Sequence, residues 1–252
     1  MRQVVAPVIS NTEVMPDTHL LWLQAPEITK VAQPGQFVMV RCGDSPDLLL
    51  RRPFSIHRVA HGGQIALLFN IVGRGTEWLS QCQKGDSLDL LGPLGKSFSL
   101  PSGSRRLLLV AGGIGIAPLV FLAEKGLNQG GSVTLLMGAS NASLLYPRSL
   151  LPPSIDLVTA TEDGSEGRRG MVTELISDFI NQADQVFACG PASMYQSMAA
   201  QSCLKGRPVQ ISLEVRMGCG LGACYGCTIK TKKGLQQVCR DGPVFELADI
   251  LW

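Results

Sequence analysis

Four cysteines near the C-terminus, Cys219, Cys224, Cys227 and Cys239, follow the order C-x4-C-x2-C-x11-C. The first three match the plant-type spacing for a 2Fe-2S cluster, whose fourth ligand comes from farther along the chain. Thiolate sulfur is the soft donor that such iron takes. Gly218, Gly220, Gly222 and Gly226 are interleaved with them. A loop that wraps a cluster closely needs positive φ and no β-carbon, so that its N–H groups can face sulfur. Zinc and disulfides compete for the same cysteines. Four-cysteine zinc sites usually show two short pairs, whereas a tight trio with one distant partner stands here. Residues 1–10 lack the basic start and apolar core of a secretory signal, so a reducing compartment, the cytoplasm, is expected and disulfides are not. Cys42, Cys82 and Cys203 are scattered and read as small buried hydrophobes.

A second chemistry sits mid-chain in Gly112-Gly113-Ile114-Gly115-Ile116-Ala117-Pro118. A glycine turn between a strand and a helix brings backbone amides and the positive helix end to a pyrophosphate. The full G-x-G-x-x-G fingerprint is not met, because Pro118 takes the last glycine's place; the turn also reads as an ordinary tight connection. Cys189-Gly190-Pro191 ends another apolar run, at the edge where open α/β sheets bind ligands. An ordinary turn with a buried cysteine is its competing reading. Nearer the N-terminus, Arg51-Arg52-Pro53-Phe54-Ser55 offers a cation, a hydroxyl and an aromatic ring for a phosphate or a flavin edge. The charged, blunted end of an edge strand reads equally well there. Gly73-Arg74-Gly75-Thr76 suits a second phosphate contact.

The elements that must position these groups fall into two rhythms. Up to about residue 100, short apolar runs at 20–23, 36–41, 54–59, 64–71 and 87–91 are separated by glycine and proline turns, the pattern of an all-β sandwich or barrel. One helical turn is expected at 77–80. After the polar break at 101–106, apolar runs at 107–111, 133–138, 155–161 and 185–189 alternate with helix-sized intervals at 118–128, 171–182 and 192–204. That alternation means a doubly wound parallel sheet. The expected division is therefore residues 1–100, 101–207 and a small cluster unit at 208–252.

Composition narrows the function classes. With 45% hydrophobic and 17% charged residues the chain is globular rather than disordered. No apolar run reaches the length of a membrane span. The net charge of +2, without a basic block, leaves no footprint for nucleic acid. His19, His57 and His61 are too few and too close in sequence for a histidine metal site or a hydrolytic triad. The chemistry then belongs to cofactors.

Taken in order, Arg52-Pro53-Phe54-Ser55, residues 73–76, residues 112–118 and Cys189-Gly190-Pro191 resemble the ferredoxin-NADP reductase superfamily over nearly the whole chain. The run 217–227, the segment Val238-Cys239-Arg240-Asp241-Gly242-Pro243-Val244-Phe245 and Thr161-Glu162-Asp163-Gly164-Ser165 resemble one branch of it, the electron-transfer subunits of NAD-linked type B dihydroorotate dehydrogenases. This resemblance implies an antiparallel FAD-binding barrel, an α/β NAD-binding domain and a C-terminal 2Fe-2S domain. It implies that Arg52, Pro53, Phe54 and Ser55 hold the flavin, that Leu68, Phe69 and Asn70 line the same site, and that Gly75 and Thr76 bind the pyrophosphate. Gly112, Gly113, Gly115 and Pro118 would approach NAD, with Gly190 and Pro191 beside them and Cys189 near the nicotinamide as the catalytic residue. The implied partner is an FMN-containing dihydroorotate dehydrogenase catalytic subunit, in a heterotetramer of two of each, passing electrons through 2Fe-2S and FAD to NAD+ in pyrimidine biosynthesis. A related reductase subunit of a transhydrogenase, a hydrogenase or a sulfite reductase is the alternative. No arginine stands next to the strand end Gly138-Ala139-Ser140-Asn141, which favours NAD over NADP. Trp252, last in the chain, is read as packing rather than stacked on flavin.

Overall fold

The computed structural model describes residues 1–43, 48–101 and 103–252. Ser102, within the expected polar break, lies outside them.

Six strands, β1 (Arg2–Met15), β2 (Thr18–Gln24), β3 (Phe37–Val40), β4 (Arg52–Ala60), β5 (Gln64–Asn70) and β6 (Ser87–Leu94), close an antiparallel barrel in the order β1-β2-β5-β4-β3-β6. The sandwich alternative is excluded by that closure, which leaves no strand edge to protect. β1 had no counterpart among the expected runs. Its burial alternates only as far as Val8 and is irregular beyond it. The short helices α1 (Pro26–Thr29) and α2 (Arg74–Ser80) plug the connections. Inside, Leu21, Val38, Ile56, Leu67 and Leu90 are fully buried.

The second unit is a seven-stranded sheet. Strands β7 (Arg106–Gly112), β8 (Ser132–Ala139), β9 (Asp156–Thr161), β10 (Arg168–Arg169), β11 (Gln185–Cys189) and β12 (Val209–Ser212) run parallel in the order β10-β9-β8-β7-β11-β12. Helices α3 (Ile116–Asn128), α4 (Ile176–Phe179) and α5 (Ala192–Ala200) belong to its crossovers. The interval expected as one helix at 171–182 is broken into a 3-10 turn, α4 and a further 3-10 turn. The central β7, with five of its seven residues buried, supports the core on both faces, as a doubly wound sheet requires.

The C-terminal segment adds a strand to this sheet. After β12 it forms the cysteine loop and the hairpin β13 (Thr228–Thr231) and β14 (Gly234–Gln237), then α6 (Val238–Asp241), and returns as β15 (Val244–Glu246), antiparallel on β12. Barrel and sheet are pinned by Gln210, whose amide accepts from Ser99 N at 2.8 Å and donates to Ser99 O at 3.0 Å. Phe98 and Phe187 meet edge to face beside it, 5.4 Å apart. Among the described residues no helix is long and apolar enough to cross a membrane.

Candidate functional site

A cleft of about 800 Å³ opens where the barrel meets the parallel sheet. The start of β4 contributes Arg52, Pro53, Phe54 and Ser55, the end of β5 contributes Leu68, Phe69 and Asn70, and the start of α2 contributes Gly75 and Thr76. Arg51, next to Arg52, is committed elsewhere: it pairs with Asp89 at 2.5 Å and donates to the Asp89 carbonyl. Arg52 instead faces Gly75, where a β-carbon would come within 3.2 Å of its Nε. Phe54 packs against Phe69 at 5.6 Å with its ring turned into the barrel core. The site therefore has less exposed aromatic surface than the sequence suggested. The Thr76 hydroxyl is also engaged, donating to Gly73 O and accepting from Val72 N and Gly73 N. What α2 presents to a phosphate is its first-turn N–H groups, not that hydroxyl.

Across the cleft, Ile114, Gly115, Ala117, Pro118 and Cys189 form the opposite wall. The turn glycines serve different needs. Gly113 has φ +53°, a left-handed conformation. A β-carbon on Gly115 would stand 2.0 Å from the Cys189 carbonyl oxygen, and one on Gly112 3.0 Å from Pro191. Gly112, Gly113, Gly190 and Pro191 border this wall without lining the cleft, Gly113 and Pro191 being exposed to solvent. Burial, reinforced by the charge of Glu214, pushes the Cys189 thiol up to about 12. It is a neutral thiol at physiological pH, unsuited to nucleophilic attack. Sequence reasoning missed the cleft's third wall, Ser212, Leu213, Glu214, Val215, Arg216 and Met217. No glycine or cysteine punctuates that stretch; only its place after the unrecognised β12 marks it. Glu214 keeps solvent contact, yet partial desolvation in the cleft raises its carboxyl. Trp252 stacks on Tyr195 at 5.5 Å, and Tyr195 in turn donates to Ser212 O and accepts from Gly190 N.

The cysteine loop lies beside this cleft, against the barrel. A β-carbon on Gly220 would strike Met39 of β3 at 2.6 Å. Gly220 and Gly222 are left-handed, φ +73° and +80°, and so is Tyr225, at +59°. Gly218 and Gly226 are not; a β-carbon there would only touch Cys224 Sγ at 3.5 and 3.6 Å. Backbone amides face sulfur as expected: Leu221 N donates to Cys219 Sγ (3.3 Å), Gly222 N to Cys239 Sγ (3.1 Å) and Cys239 N to Cys227 Sγ (3.4 Å). Cys219 is desolvated, which opposes ionisation, but N–H groups of Leu221, Cys224 and Ala223 and the Cys224 thiol outweigh this and bring it down to about 6. Cys239 is raised to about 12 by burial and by Cys227. Cys219 feels Cys224, and Cys239 feels both Cys227 and Cys219, so the four thiols share one electrostatic environment. Among the described residues no three of these thiols are gathered closely enough to hold a single metal ion, and the feature that suits a 2Fe-2S cluster is the set of backbone amides facing sulfur.

Comparison with known proteins agrees with this geometry. Residues 5–99 match the oxidoreductase FAD-binding domain, and residues 214–251 match the iron-sulfur cluster binding domain of dihydroorotate dehydrogenase B. The dihydroorotate dehydrogenase B (NAD(+)) electron transfer subunit of Desulforamulus reducens is 41% identical, over 98% of this chain and 97% of its own length. The chain belongs to that family of electron transfer subunits. The Geobacillus thermodenitrificans member is 37% identical, over 97% of this chain and 96% of its own. A solved NADH-dependent reduced ferredoxin-NADP oxidoreductase, described for flavin-based electron bifurcation, superposes with a TM-score of 0.87 at 27% identity, covering 99% of this chain and 90% of that one. As a dihydroorotate dehydrogenase B electron transfer subunit, the chain has the barrel, parallel sheet and C-terminal cysteine loop in the order its sequence suggested.

Proposed function

We propose that the cleft between β4 and α3 is where FAD and NAD meet, and that Cys219, Cys224, Cys227 and Cys239 ligate the 2Fe-2S cluster. The chain is the NAD-linked electron-transfer subunit of dihydroorotate dehydrogenase B, passing electrons from the FMN-containing catalytic subunit through 2Fe-2S and FAD to NAD+. The cluster exchanges single electrons, and FAD converts two of them into a hydride. The observation that carries the site assignment is the convergence on one cleft of Arg52, Pro53 and Ser55 from the barrel with Gly115, Pro118 and Cys189 from the sheet.

The chain's own groups have separate tasks in this reading. Arg52 supplies positive charge beside the α2 N-terminus, where backbone N–H groups take the flavin pyrophosphate. Pro53 and Ser55 border the flavin. Gly115 and Pro118 would admit the nucleotide close to main chain, while Cys189, a neutral thiol, would bound the nicotinamide without acting as a nucleophile toward it. The units 1–100, 101–207 and 208–252 are the functional division in this reading, although β12 and β15 extend the central sheet with strands from the third. Two copies of this chain joined to two FMN subunits, in the cytoplasm, are the assembly we infer. The bifurcating oxidoreductase likeness favours a second reading, in which the same relay serves a transhydrogenase.

Purification of the native complex under anaerobic conditions tests the partner. Recovery of an FMN protein that, only with this chain present, couples dihydroorotate oxidation to NAD+ reduction supports the first reading. A partner that reduces ferredoxin or NADP+ and ignores dihydroorotate supports the second.

A further inference from the structure

We propose that His57 is a positioning residue for hydride transfer: it holds the first turn of α3, and with it the glycine turn, in register with the flavin-facing start of β4. This rests on the reading of the cleft given above. His57 is completely buried, and none of the cofactor-facing groups includes it. It sits at a bulge in β4: Ile56 pairs with Leu67 and Arg58 with Ala66, so His57 is the extra residue. Bulges re-aim side chains. Ile56 enters the barrel core, whereas His57 reaches out to α3.

There His57 Nδ1 lies 2.8 Å from Ala117 O, and Nε2 lies 3.0 Å from the Tyr146 hydroxyl. A carbonyl only accepts, so Nδ1 carries the proton and Nε2 accepts from Tyr146. Ala117 is the second residue of α3 and lines the cleft with Gly115 and Pro118. Two turns along the same helix, Glu124 pairs with Arg58 Nε at 2.8 Å. That contact holds the helix two turns farther on, whereas His57 is the side chain bonded to its first turn among the described residues. An apolar residue would fill the space but leave Ala117 O without this partner and the first turn of α3 without its tie to β4. Hydride transfer needs reacting atoms about 3–3.5 Å apart, and a displacement near 1 Å costs up to about 100-fold.

The test uses the intact, FAD-loaded chain, with flavin reduction by NADH followed in a stopped-flow instrument and 5′-AMP binding measured by calorimetry. His57→Leu is expected to lower the limiting reduction rate about tenfold or more while leaving 5′-AMP affinity within about twofold. His57→Asn, which keeps a donor in the Nδ1 position, is expected to recover most of the rate. Tyr146→Phe leaves the Ala117 bond in place and is expected to reduce at close to the wild-type rate. Should His57→Leu not retain FAD, the contrast decides between His57→Asn, fast, and His57→Gln, slow because its amide replaces Nε2 and leaves Ala117 O without a donor. Equal rates in that pair, or an unchanged limiting rate in FAD-replete His57→Leu, overturn this inference alone. Wild-type flavin that NADH does not reduce overturns the functional reading and this inference with it.

Discussion

The main chains of Gly115 and Cys189 approach so closely that no side chain fits between them: a β-carbon on Gly115 would stand 2.0 Å from Cys189 O and 2.7 Å from Gly190 N. Both neighbours are backbone at the C-terminal end of β11, so neither can swing away. Gly115→Ala is therefore expected to cost about 1–3 kcal/mol in stability. It is also expected to weaken NADH binding more than FAD binding. Denaturant titration together with NADH and FAD affinities checks this.

Removing one of the four proposed cluster ligands is expected to separate the two redox sites. Cys239 lies on α6 with its sulfur taking the Gly222 amide. Cys239→Ser leaves the barrel and glycine turn untouched. Iron and sulfide are expected to fall to background while FAD stays bound and NADH still reduces a two-electron dye. Electron delivery from a reduced FMN partner stops. Metal analysis and the two activities check it.

His57 carries a pH dependence of stability. Burial is the main cause that drives its pKa down from 6.5 to about 3, against the Ala117 hydrogen bond. Below pH 6.5 the unfolded chain takes up a proton that the folded chain refuses. Stability therefore falls as pH drops from 6.5 toward 3, by at most about 1.4 kcal/mol per pH unit from this group. Above pH 6.5 the group contributes no slope. Urea unfolding at pH 7 and pH 5 measures the difference, and His57→Asn is expected to flatten it.

Gln210 joins barrel to sheet through both Ser99 backbone groups. Gln210→Leu keeps the volume and loses both bonds. Because Ser99 is exposed, water replaces part of them, and the expected loss is about 1 kcal/mol. Differential scanning calorimetry checks the value.

Much of this molecule is readable from sequence where local chemistry is strict. The cysteine spacing, the glycine turn before α3 and the alternating runs of β7, β8, β9 and β11 each reflect a constraint acting within a few residues. β1, β12 and β15 were not legible, because a strand with irregular burial or only three or four residues takes its pairing from partners distant in sequence. The same limit hid Ser212, Leu213 and Glu214, which reach the cleft only because β12 adds to β11. His57 looked unremarkable beside His19 and His61. Its role depends on a bulge and on a helix 60 residues away.

The most direct test of the relay is the content and reducibility of anaerobically prepared protein. Two irons, two acid-labile sulfides and one FAD per chain are expected, with NADH bleaching the flavin and producing the paramagnetic resonance of a reduced 2Fe-2S centre. Protein that holds FAD but carries zinc or nothing at Cys219, Cys224, Cys227 and Cys239, and yields no such resonance, contradicts the account.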